Sequence, residues 1–141
     1  MPRVHLVAAL LASLTLAACG GGSTAAGAGG SGATCPPGGT TLRYTGGGNG
    51  GSEPADFGSS FFTSYCVTCH GAVPSGGAPP HATFTVLAVI QEHAALIDEK
   101  AAKGPTRTNT AMPPAGALAV PGDAERTSLG RWIACGTPAG P

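Results

Sequence analysis

A chain of 141 residues has room for one domain, and 24 Gly and 13 Pro mean that part of its length cannot be packed core. Seven basic and seven acidic side chains cancel to zero net charge and form no clustered basic face, which excludes a nucleic-acid surface. The chain holds five cysteines, and what they do depends on the compartment the protein occupies.

The N-terminal residues bear on that compartment. Arg3 is the only charge in the first five residues, and residues 6–18 are apolar apart from Ser13 and Thr15. A basic start followed by a short apolar run is the pattern of an export signal, since a spanning helix needs about 20 apolar residues. Leu16-Ala17-Ala18-Cys19 closes the run and resembles the lipobox of bacterial lipoproteins. The resemblance implies a signal peptide over residues 1–18, acylation of the Cys19 thiol, and a lipid anchor on the periplasmic side or the cell surface. Gly20 differs from the aspartate that retains enteric lipoproteins at the inner membrane, so the outer membrane is the expected site. The competing reading is an ordinary signal peptide with a coincidental cysteine.

Residues 20–52 are mostly Gly, Ala, Ser and Thr, too poor in apolar side chains to offset the entropy of ordering them. With Cys19 they are expected to form a tether, spanning roughly 30 Å r.m.s. as a flexible coil. Two islands interrupt it, Cys35-Pro36-Pro37 and the weakly strand-like Thr40-Thr41-Leu42-Arg43-Tyr44, either of which can dock on a folded domain. Folded sequence is expected over residues 53–138. A first helix, opening at Pro54 or with Asp56 as N-cap, is predicted to reach Cys69, with Phe57, Phe61, Phe62 and Tyr65 at helical spacing. The Gly- and Pro-rich stretch 71–80 must be loop. A second helix is predicted over 85–103, apolar at Val86, Leu87, Val89, Ile90, Ala94 and Ile97, and stopped by Gly104-Pro105. After an irregular stretch containing Met112-Pro113-Pro114, a last helix is predicted over 123–134, with Leu129, Trp132 and Ile133 inward. The expected fold is therefore all-α: about three main helices, long loops and almost no strand. Four Phe, two Tyr and one Trp are few for filling such an interior, and something else must fill it.

Cys66-Val67-Thr68-Cys69-His70 is a Cys-x-x-Cys-His run, the pattern of covalent c-type haem attachment. One helical turn separates two thiols by the span of two porphyrin vinyl groups, and the histidine that follows presents its ring to the iron. Two rival readings use the same thiols. A thioredoxin-like site would need a strand before Cys66, and none is predicted. A four-thiolate zinc site would recruit Cys35 and Cys135, which stand alone rather than as a close pair.

Over residues 53–138 the chain resembles the small monohaem class of cytochrome c. In that family a glycine and an aromatic precede the first haem cysteine by eight and four residues, where this chain has Gly58 and Phe62. The last helix of the family carries a leucine and, three residues on, an aromatic, matched by Leu129 and Trp132. The resemblance implies that the first and last helices cross closely at Gly58, and that Met112, in the loop before the last helix, is the sixth iron ligand opposite His70. His81 and His93 are the other candidates for that position. It also implies a proline carbonyl (Pro74, Pro79 or Pro80) accepting from His70. Arg107, Arg126 or Arg131 are candidates to pair with haem propionates, although solvated surface charge is their more ordinary fate. Asn109 or Thr110 are candidates to donate to the methionine sulfur.

With Cys19 acylated and Cys66 and Cys69 on haem c, two thiols remain in an oxidising compartment, so a Cys35–Cys135 disulfide is expected. The resulting expectation is a membrane-tethered one-electron carrier working with redox partner proteins, and not an enzyme. If Met112 is labile, the alternative is a haem module that binds or senses a small ligand. A peroxidase is the third reading, against which stand the single attachment motif and the lack of an evident distal acid–base pair.

Overall fold

Helical periodicity over three stretches of sequence becomes five helices in the computed structural model, which describes residues 30–45 and 56–140. They are α1 (Phe57–Tyr65), α2 (Val67–His70), α3 (Leu87–Glu92), α4 (Ala94–Ala101) and α5 (Asp123–Ala134). Among the described residues there are no strands, only isolated bridges between Tyr44 and Ala139 and between Lys103 and Thr108. The fold is all-α. Cys19, Glu53 and Pro54 lie outside the described residues, and no described helix is long and apolar enough to cross a membrane.

Two predicted helices are each broken once. The first stops being continuous at Cys66, whose φ of −120° leaves the helical region. The ladder holds on both sides, with Cys66 N–H donating to Phe62 and His70 N–H to Cys66, at 2.9 and 2.8 Å, so the break re-aims α2 without freeing it. The second breaks at His93, where the Val89 carbonyl accepts from both the His93 N–H and its ring Nδ1, at 3.1 and 3.0 Å. This helix also starts at Leu87 and ends at Ala101, inside the predicted limits. The last helix has its predicted bounds. Gly122 N–H donates to the Glu125 carboxylate at 2.7 Å, and Asp123 and Glu125 in the first turn oppose the helix dipole. Asp56 precedes α1 but makes no side-chain cap; its carboxylate accepts the Thr45 N–H at 3.0 Å instead.

α5 packs against α1 and α4, and the core gathers where they meet. Trp132, Phe62, Ile90 and Leu129 are buried, with the rings of Phe62 and Trp132 6.0 Å apart. Gly58 lies at the crossing of α1 and α5, where a Cβ would sit 3.1 Å from the Trp132 ring and 3.0 Å from that of Tyr44. Tyr65, at the end of α1, donates its hydroxyl to Glu125 of α5 at 2.5 Å.

Residues 30–45, expected to belong to a tether, pack on the helices. Ser31 is fully buried, its N–H and hydroxyl donating to the two oxygens of buried Asp98, at 2.8 and 2.6 Å. Thr106 donates its hydroxyl to the Ser31 carbonyl at 2.7 Å. At the other end of the segment, Tyr44 N–H donates to Pro138 and Gly140 N–H to Tyr44, at 3.1 and 2.9 Å. Composition predicted a coil because polar residues bury little apolar area; it did not reveal that a buried carboxylate waits to be satisfied by one of them. Cys35 and Cys135 are joined in a disulfide that ties this segment to the end of α5.

Candidate functional site

α2 is four residues long and carries Cys69 and His70, with Cys66 at its N-terminal cap. Both cysteines are free thiols. Burial pushes the Cys66 thiol up to about 12, with nearby Arg126 opposing the shift and Cys69 adding to it. A nucleophilic redox cysteine needs the opposite, a thiol shifted toward thiolate. Among the described residues no strand leads into Cys66 either, as the thioredoxin-like reading would need. The four-thiolate zinc reading loses Cys35 and Cys135 to their disulfide. Among the described residues no group of three or more His, Cys, Asp or Glu is placed to hold a metal ion.

The His70 ring is fixed from two sides. Its Nδ1 lies 3.0 Å from the Ala82 carbonyl. A carbonyl only accepts, so Nδ1 donates to it and Nε2 is the ring nitrogen left for a metal. Phe84 stacks on the ring at 4.6 Å, and the Phe84 N–H donates to the His70 carbonyl at 2.8 Å. None of the three candidate prolines supplies the acceptor. Ala82 N–H closes a turn onto the Pro79 carbonyl at 3.0 Å, and that turn carries the Ala82 carbonyl past the prolines to the imidazole.

Cys66, Cys69 and His70 line one open cavity of about 610 Å³ that Met112 also lines. The volume is that of a site for a sizeable organic ligand. Its walls are mainly apolar, from Phe61, Phe62, Phe84, Leu96, Ile97 and the 112–119 loop. Lys100 is the one lining residue with a formally charged side chain, and it pairs with Glu99 at 2.6 Å. Met112 is 43 % exposed, Leu96 50 % and Leu118 97 %, so three cavity-lining side chains present apolar surface without cover. His81 and His93 line the cavity as well, their rings 5.6 Å apart, and His93 meets the edge of Phe84 at 6.0 Å. The Cys66–His70 run and Met112, 42 residues beyond it, are thus brought to one apolar space, with two further histidines on the run of rings that begins at His70.

Arg107 and Arg131 are exposed and, like Arg126, do not line the cavity. Arg126 departs from every expectation for it. It is 2 % exposed, and its Nη1 lies 2.6, 2.8 and 2.9 Å from the carbonyls of Ala101, Asn109 and Met112. Its Nε donates to Pro121 at 3.3 Å, and burial lowers its pKa from the ordinary value. The signal was present in the sequence, since position 126 shares the inner face of α5 with Leu129 and Ile133 at helical spacing. Asn109 is buried with its amide donating to the Asp98 carbonyl at 2.7 Å, and Thr110 is exposed. Comparison of the chain with protein-family models, curated proteins and solved structures finds no match.

Proposed function

We propose that this chain holds one haem c and serves as a membrane-tethered one-electron carrier of the monohaem cytochrome c type. The observation that carries the reading is the convergence of Cys66, Cys69, His70 and Met112 on a single apolar cavity. The donor set fits the group: two free thiols one helical turn apart for the vinyl carbons, a histidine with Nε2 left for a metal, and a thioether. The close α1–α5 crossing at Gly58 and the Phe62–Trp132 contact also accord with the resemblance. Cys66 and Cys69 would anchor the group, and His70 and Met112 would ligate its iron. Bound there, haem supplies an Fe(III)/Fe(II) couple.

His70 and Met112 together would hold the iron and leave no place for a substrate, which separates a carrier from an enzyme. The Ala82 carbonyl orients the imidazole, and Phe61, Phe62 and Phe84 supply apolar wall. Met112 is favoured over His81 and His93 because those rings continue from His70 through Phe84 along one wall, whereas Met112 arrives on a separate loop. The lipid anchor at Cys19 belongs to the same proposal, keeping the domain concentrated near its redox partner proteins.

The test is a pyridine haemochrome assay with visible spectra of oxidised and reduced protein, produced in a host that matures c-type cytochromes. One haem per chain, resistant to acidic organic extraction and lost in Cys66→Ala/Cys69→Ala, is the expected result. Haem-free protein, or haem that extracts freely, would overturn the reading. A high-spin resting spectrum would favour the small-ligand module over the carrier.

A further inference from the structure

Arg126 is a buried cation that donates to the backbone carbonyls of Pro121, Ala101, Asn109 and Met112. Burying a guanidinium is costly, and an apolar side chain of similar volume often serves packing as well. What an apolar residue cannot do is bring together carbonyls from separate segments. Here one guanidinium gathers Ala101 at the C-terminus of α4, Asn109, and Met112 in the loop lining the cavity. Charge-assisted bonds of this kind are short and directional. The Ala101 carbonyl belongs to a helix end whose dipole favours a cation.

The Met112 backbone is held on both sides: its carbonyl by Arg126, and its N–H by the Lys100 carbonyl, each at 2.9 Å. Glu125, the neighbour of Arg126 in α5, holds Tyr65, which directly precedes Cys66. Two adjacent residues in the first turns of α5 therefore grip the element that leads to His70 and the loop that bears Met112.

We propose that Arg126 is the positioning residue for the Met112 thioether, setting where the sulfur stands relative to the iron; this rests on the haem reading above. A methionine side chain is flexible enough to reach many places. With its backbone anchored, it meets the iron without having to order the loop at the same time. Released from Arg126, the 112–119 loop keeps the Lys100 contact alone at Met112, and the sulfur competes poorly with added ligands.

The experiment compares haem-loaded wild type, Arg126→Gln, Arg126→Lys and Ser31→Ala. The readouts are the sulfur-to-iron charge-transfer band of the oxidised protein, the affinity for imidazole, and the thermal midpoint. Arg126→Gln is expected to keep its haem, lose most of the band and bind imidazole about tenfold or more tightly. Arg126→Lys, which keeps the cation but not the planar fork, is expected to recover part of the band. Ser31→Ala removes a hydroxyl bond to Asp98 that involves neither Arg126 nor Met112, and is expected to lower the thermal midpoint while leaving band and affinity unchanged. If Arg126→Gln does not fold, Arg126→Lys decides: a weakened band with raised imidazole affinity supports the role, and wild-type values for both overturn it. A wild-type band that survives unchanged in the Arg126 variants overturns the role of Arg126 alone. Absence of the band from wild type overturns both this role and the assignment of Met112.

Discussion

Tyr65 shows how one side chain links the helices to solution pH. Its phenol donates to Glu125, and this bond, before burial and the charge of Glu125, raises its pKa from 10.0 to about 12. Between those values the unfolded chain has released the proton and the folded chain still holds it, so stability falls as pH rises through the window. Tyr65→Phe is expected to be less stable at neutral pH and to lose stability less steeply between pH 10 and 12, measured by urea titration at several pH values. An equally steep fall in the variant would place the titration elsewhere. Met112 is the second residue whose removal is diagnostic. Met112→Ala in the haem-loaded protein is expected to abolish the sulfur-to-iron band, open the iron to added ligands and lower the potential, because a thioether favours the reduced iron. Absence of the band from wild type would return the sixth position to His93 or His81, and its persistence in the variant would mean that Met112 is not its source.

Among the elements, α5 is the one on which the others are arranged. Gly130, on its buried side, lies where a Cβ would stand 2.7 Å from the Lys103 carbonyl oxygen and 3.1 Å from the Ala33 Cβ. In an open helix, Gly→Ala gains about 1 kcal/mol of propensity. Here the backbone oxygen cannot rotate away as a side chain would, so overpacking, typically about 1–3 kcal/mol, decides the sign. Gly130→Ala is therefore expected to be net destabilising in a denaturant titration; a gain in stability would mean that the 102–109 segment yields at little cost. The breaks at Cys66 and His93 also belong to this scale. Hydrophobic periodicity runs through both, because a one-residue departure from helical dihedrals hardly disturbs the spacing of apolar positions. Each break places a residue that lines the cavity.

For the whole molecule, the N-terminal segment and the disulfide act together. Cys35 and Cys135 close a loop 100 residues apart in sequence, and such a link typically contributes about 2–5 kcal/mol by restricting the unfolded chain. Cys35→Ser/Cys135→Ser is expected to lose stability in that range and to expose residues 30–45 to protease as the Ser31–Asp98 bonds weaken. An unchanged denaturation midpoint would show that those bonds hold the segment alone. The cavity sets a further global property. A group bound to the folded state alone and covering these mainly apolar walls would stabilise that state. Cys66→Ala/Cys69→Ala protein is accordingly expected to lack a cooperative thermal transition in calorimetry, and a sharp one would mean that the helices suffice by themselves.

Local features were legible in the sequence because their causes are local. The spacing of Leu129, Trp132 and Ile133, with Gly122 before and Gly136 after, bounded α5, and helical periodicity with few strand formers marked an all-α chain. The Cys66–His70 run marked residues that line the cavity, and counting thiols paired Cys35 with Cys135. What only the tertiary structure decided are interactions between distant residues, which leave no periodic trace. Ser31 against Asp98 turned residues 30–45 of a supposed tether into part of the domain, and a turn past Pro79 made Ala82 rather than a proline the partner of His70. The fate of Arg126 depended on which orphaned carbonyls came within its reach, and only the packing of α4, α5 and the 102–112 segment brings those of Ala101, Asn109 and Met112 to one point.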